Sequence, residues 1–118
     1  MTSSLPTVDL VCRAAGPVEG MGAEAAADLA ARFKALGDPT RLRLLSIIAA
    51  QPESEACVCN LTEPIGLSQG TVSHHLKVLV DAGLLTRARR GTWSFYALAP
   101  GALEELAAAL GTPSPTGR

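Results

Sequence analysis

Residues 68 to 98, SQGTVSHHLKVLVDAGLLTRARRGTWSFYAL, decide the fold, because a helical period gives way within them to a strand period. In the first half, Val72, Leu76, Leu79 and Val80 fall along one side of a helix. Ser68 is placed to cap its start, and Gly83 stands where a helix ends. The second half holds two short runs of β-forming residues, LLTRARR and WSFYAL, around a basic turn containing Gly91, which predicts a hairpin.

The other side of that helix carries Gly70, Thr71, Ser73, His74 and Lys77, with His75 next to them. These are small or hydrogen-bonding residues with one cation, and such a face can enter a major groove. Ser68 and Gln69 sit at the helix start, where unpaired backbone N–H groups favour phosphate. An ordinary solvated face has the same composition, so the hairpin weighs in the decision. Arg87 and Arg89 alternate on one strand, and Arg90 with Gly91 makes a basic tip. Three of the ten basic residues thus fall within four positions, as suits a wing laid against the phosphate backbone.

Working outward, AEAAADLAARFKAL at 23 to 36 reads as a helix with Leu29, Phe33 and Leu36 on one face, stopped by Gly37. A second helix follows, with Asp38 as N-cap, Pro39 in its first turn and an expected buried stripe of Leu42, Leu45, Ile48 and Ala49. Pro52 ends it. The loop PESEA leads to a short third helix, about 58 to 65, with Val58, Leu61 and Ile65 inward and Gly66 at its end. PGALEELAAALG, from Pro100 to Gly111, is the last helix. Helix, short helix, tight break, longer helix and hairpin is the order of a winged helix-turn-helix, mainly α with a β-hairpin wing. Residues 1–20 read as a flexible arm carrying Cys12, residues 21–111 as the folded domain and residues 112–118 as a disordered tail.

With 118 residues and 47% hydrophobic content, the chain suits one small domain. Only 3% of residues are aromatic, which argues against a base-stacking platform. The apolar runs are broken well short of a membrane span, and MTSSLPTVDL lacks a secretory pattern, so a cytoplasmic location is expected. The formal net charge of −1 conceals segregation: residues 77 to 90 hold Lys77, Arg87, Arg89 and Arg90 against Asp81 alone. Three cysteines, an odd number, argue against a disulfide framework, and in a reducing compartment clustered thiols are more often metal or redox groups. Two of them, Cys57 and Cys59 in EACVCNL, would point about 200° apart on a regular helix. To share an ion they need a helix that begins at or after Cys57.

FKALGDPTRLRLL, CVCNL, LSQGTVSHH with LKVLVDAGLL, and RARRGTWSFYAL together resemble the ArsR/SmtB family of bacterial metal-responsive repressors, over about residues 25 to 110. The resemblance implies a homodimer built on the first and last helices. It implies palindromic operator DNA read by two recognition helices one turn apart, with release when an ion binds. It also implies that CVCNL is the metal motif. The last helix has neither the Asp nor the His of the family's zinc-type site, only Glu104 and Glu105. The fuller arsenic motif ends in a cysteine where this chain has Thr62, and Asn60 replaces a frequent Asp. Cys12 is then the remaining thiol, and an arm of about eleven residues reaches roughly 35–40 Å.

Three thiolates without oxygen or imidazole partners suit a soft ion, and As(III), which takes three sulfurs, is expected first. Sb(III), Cd(II) and Pb(II) are the alternatives. Zinc would want a fourth ligand, and His74 and His75 lie on the reading helix. A redox switch, with Cys12 bridging to Cys57 or Cys59, is a rival within the same fold. A thiol enzyme is disfavoured because CVC is not a CxxC pair, so no enzymatic activity is expected. A protein-interaction winged helix is the remaining rival.

Overall fold

The computed structural model describes residues 20–111, so Cys12, the rest of the arm and the tail lie outside the described residues. Helix α1 spans Ala23–Leu36 and α2 spans Pro39–Ala50. The break between them is set by Asp38, whose carboxylate accepts hydrogen bonds from the Thr40 and Arg41 backbone N–H groups at 2.8 and 3.2 Å. The Arg41 backbone bond is the main reason the Asp38 carboxyl titrates below its usual range.

The buried stripe of α2 differs from the expected one. Leu44, Leu45 and Ile48 are buried, whereas Leu42 is 53% exposed and Ala49 also faces outward. Arg41 explains the shift, because it takes the inward position one turn ahead of Leu44 and Leu45. Its side chain is 18% exposed, and its Nε donates to the Ala35 carbonyl at 2.6 Å. A guanidinium on the buried side disguises the true period.

After a 3-10 turn at Pro52–Ser54 comes β1, Glu55–Cys57, a strand where the sequence suggested only loop. It pairs antiparallel with β3 (Trp93–Leu98) in the register Glu55–Ala97, Ala56–Tyr96 and Cys57–Phe95. The expected third helix is split in two: a 3-10 turn at Val58–Asn60 precedes α3, Thr62–Ile65. Val58 and Leu61 are buried and Ile65 is half-buried, so the inward residues are the expected ones.

Helix α4 spans Gln69–Asp81 and buries Val72, Leu76 and Leu79, with Val80 half-buried. Ser68 Oγ accepts from the Thr71 N–H at 3.2 Å. At the other end Leu84 N–H donates to the Leu79 carbonyl at 3.0 Å and Gly83 N–H to the Val80 carbonyl at 2.9 Å. That Schellman closure needs a left-handed residue, and Gly83 supplies it at φ 82°. Strand β2, Leu85–Arg90, pairs with β3 through the two-residue turn Gly91–Thr92, with Gly91 at φ 65°. The sheet order is β1-β3-β2. Helix α5, Ala102–Ala109, buries Ala102 and Leu106.

The core gathers Leu44, Ile48, Leu61, Val72, Leu76, Leu79 and Leu84, all fully buried, where α2, α3, α4 and the sheet meet. The architecture is therefore a winged helix-turn-helix, with α3 and α4 as the motif and the hairpin as the wing. Among the described residues no helix is long and apolar enough to cross a membrane.

Candidate functional site

A cleft of about 510 Å³ lies between the outer face of α4 and the wing, lined by Gln69, Ser73 and Lys77 on the helix and by Arg87, Arg89 and Trp93 on the hairpin. The expected reading face and the expected wing arginines therefore border one groove. Gly70 and His74 are exposed on the same helix, and a Cβ added at Gly70 would meet open space. Ser68 and Thr71 are partly engaged, since Ser68 Oγ also donates to Thr71 Oγ1 at 3.0 Å. Lys77 reaches Asp81 at 2.9 Å, an exposed pair four residues apart that a phosphate can displace at little cost. The Arg87 Nε and Nη2 donate to Ser94 Oγ at 3.3 and 3.2 Å, which holds that guanidinium across the strands.

Two members of the expected set point elsewhere. The half-buried His75 turns to α2, with its Nδ1 3.2 Å from Arg41 Nη1. Arg90 has the opposite strand parity to Arg87 and Arg89. Its guanidinium grips the Glu55 carboxylate through both oxygens, at 3.1 and 2.5 Å, and stacks 4.5 Å over the Phe95 ring. Arg90 thus ties the wing to β1, while Trp93, 47% exposed and paired in register with Arg90, takes a place at the tip that the sequence reading missed. Strand parity was the available signal for Arg90. Nothing local marked Glu55, because its strand is only three residues long.

Cys57 ends β1 in an extended conformation, φ −78° and ψ 143°, and the helical turn begins at Val58. The helical 200° separation therefore does not apply. The two Cα atoms are 5.1 Å apart, and the sulfurs are joined in a disulfide. Cys57 Sγ also accepts from the Cys59 N–H at 3.1 Å. Cys57 is only 4% exposed, whereas Cys59 faces solvent. This pairing differs from the Cys12 bridge of the redox alternative, Cys12 being outside the described residues. No group of three His, Cys, Asp or Glu side chains converges among the described residues.

Arg32 of α1 and Glu105 of α5 form an ion pair at 2.9 Å. A shallow groove of about 470 Å³ there is lined by Met21, Ala25, Leu29 and Ala109 together with the charged Asp28, Arg32 and Glu105, and Leu110, just past α5, is 61% exposed. Among the described residues this surface thus carries an apolar strip bordered by charged side chains.

Residues 38–87 match the family model for bacterial regulatory proteins of the arsR family. An uncharacterized HTH-type transcriptional regulator of Methanocaldococcus jannaschii is 39% identical over 74 residues, 63% of this chain and 81% of that protein. The arsenical resistance operon repressor of Bacillus subtilis is 43% identical over 67 residues, 57% of this chain and 62% of the repressor, so the match spans less than two thirds of the repressor's length. Among solved structures, a homodimeric winged helix-turn-helix DNA-binding domain from Mycobacterium bovis, a possible ArsR-family regulator, is similar with a TM-score of 0.61 and 28% identity. It covers 80% of this chain and 87% of that one.

Proposed function

The chain belongs to the ArsR family of bacterial regulatory proteins, and from that premise we propose that it is a cytoplasmic, homodimeric repressor that leaves operator DNA when As(III) binds its cysteines. One observation carries this reading. The Cys57–Cys59 pair lies at the joint between β1, which is bonded to the wing's β3, and the turn that opens the helix-turn-helix.

The donor set fits a soft trivalent ion: it is all sulfur, two members already meet, and reduction of the disulfide would present two thiolates from one short segment. Cys57 and Cys59 would hold the ion with Cys12 as third ligand, and the ion would supply sulfur-selective recognition. Each residue of the joint then has a part. Cys57 is fixed by β1, so a demand on its sulfur is passed to the Cys57–Phe95 pair and into β3. Cys59 is borne by the Val58–Asn60 turn, whose Val58 and neighbouring Leu61 are buried in the core that supports α4. A small displacement at Cys59 therefore reaches both sides of the groove. Ser68, Gln69, Gly70, Thr71, Ser73, His74 and Lys77 would meet the major groove, and Arg87, Arg89 and Gly91 the flanking backbone. The apolar strip of α1 and α5 supports the dimer, which two half-sites require.

The test starts from a duplex selected by the reduced chain out of a random pool. Arsenite is expected to weaken binding about 5- to 150-fold, the ordinary range of allosteric coupling. Cys57→Ser, Cys59→Ser and Cys12→Ser should each bind the duplex and lose the response. Release of the Cys57→Ser protein at the same arsenite concentration would sink the reading, and a response to cadmium or lead alone would reassign the ion.

A further inference from the structure

We propose that Cys57 and Cys59 are a self-contained redox site: oxidation joins them within one protomer, takes both thiolates away from the ion, and leaves the DNA-reading fold standing. For its consequence on ion sensing the inference rests on the proposed function; the closure itself does not.

The joined sulfurs occur together with every feature that shapes the reading face. The Ser68 cap is made, β1 and β2 both keep their register with β3, and Arg87 is held by Ser94. Closure therefore asks for no rearrangement of α4 or the wing. The residue between the cysteines explains this tolerance. Val58 is 3% exposed, and it pins the middle of the three-residue loop in the core. Cys57 is held from the other side by its strand pairing with Phe95. The backbone on both sides of the pair is thus held in place.

Exposure assigns the order of events. Cys59 is open to solvent and Cys57 is buried, so a peroxide meets Cys59 first. The Cys59 thiolate attacks hydrogen peroxide, the O–O bond breaks, and Cys59 sulfenic acid and hydroxide result. The Cys57 thiol then displaces the sulfenic oxygen: the S–S bond forms and water leaves with the thiol proton. Overall, two thiols and one peroxide give one disulfide and two waters. A cellular dithiol reverses the step by thiol–disulfide exchange. Because the oxidised pair has no thiolate to offer, an oxidised repressor stays on DNA in the presence of arsenite. That is the opposite of a redox switch that releases DNA through a Cys12 bridge.

The experiment uses the full-length chain, reduced, desalted and treated with a stoichiometric amount of hydrogen peroxide. Free thiols should fall from three to one in the wild type and from two to none in Cys12→Ser. Peptide mapping without reductant should place the link between Cys57 and Cys59. Affinity for the selected duplex should change by less than the roughly fivefold minimum of an allosteric effect. Arsenite retained after desalting, measured by elemental analysis, should disappear on oxidation and return after dithiol treatment and renewed desalting. A bridge that requires Cys12, covalent dimers on a non-reducing gel, or DNA release by peroxide would overturn the proposal. If the reduced chain retains no arsenite at all, the sensing reading fails, and thiol count and DNA affinity still decide the closure.

Discussion

Arg90 and its neighbours Arg87 and Arg89 differ in what they touch, and that difference separates their roles. Each lysine or arginine that neutralises a phosphate steepens the salt dependence of binding by about 0.9 in log–log slope. Arg87→Ala and Arg89→Ala, both bordering the groove, should each reduce the slope by about that amount. Arg90→Ala, whose guanidinium is spent on Glu55 and Phe95, should leave the slope unchanged and weaken the arsenite response. Titrating duplex binding across several salt concentrations checks all three. Asp38 offers a second residue-level test. Its folded carboxyl titrates below the ordinary value, so its stabilisation is present above that value and is lost as pH falls through the lowered one. Asp38→Ala should lower the thermal midpoint at neutral pH by a few degrees, with the gap from wild type closing on acidification below the usual carboxylate range. A gap of constant size from neutral to strongly acid pH would argue against the cap. For Arg90, charge suggested DNA, while strand parity sets it on the face of Glu55 and Phe95, a placement only the fold reveals.

The elements show where a one-dimensional pattern carries enough information and where it does not. Helix α4 was legible end to end, because cap, stripe and terminating glycine agree and all lie within one segment. Its closing glycine can be tested directly. Nothing stands near a Cβ built on Gly83, so Gly83→Ala should cost only the left-handed backbone term, about 1–2 kcal/mol, read as a lower denaturant midpoint with unchanged slope. The α2 stripe was misread because Arg41 points inward, held by Ala35 and His75, and a charged residue on a buried side breaks the apolar period. Strand β1 was invisible for a different reason. Three residues show no alternation, and the strand exists because β3 has an open edge about forty residues further along. The split of the third helix follows from β1, since a residue committed to a strand cannot also open a helix.

At the scale of the whole molecule, the exposed apolar strip of α1 and α5 and the basic groove are separate surfaces with separate tests. Met21→Glu combined with Leu110→Glu places charge at two exposed positions, so the monomer should keep its fold. Light scattering should report a shift from dimer to monomer. Affinity for a two-half-site duplex should fall towards the non-specific level, a loss of about three orders of magnitude or more. Dimer mass unchanged in the double variant would move the interface off these helices. The sequence could not supply this surface by itself, because the exposure of its methionine, alanines and leucines is decided by folding.

Once reduced, the proposed cysteine pair would also act as a sieve on coordination shape. Borne on one three-residue segment, with a strand before it and a buried valine within it, the two sulfurs would meet an ion from the same side. An ion content with a pyramid of sulfurs accepts that approach. Mercury(II), which prefers its two sulfurs on opposite sides in a straight line, would be served less well by two sulfurs from one three-residue segment. Under the proposed function the turn would therefore select among thiophilic ions by bond angle, where affinity for sulfur alone would not discriminate.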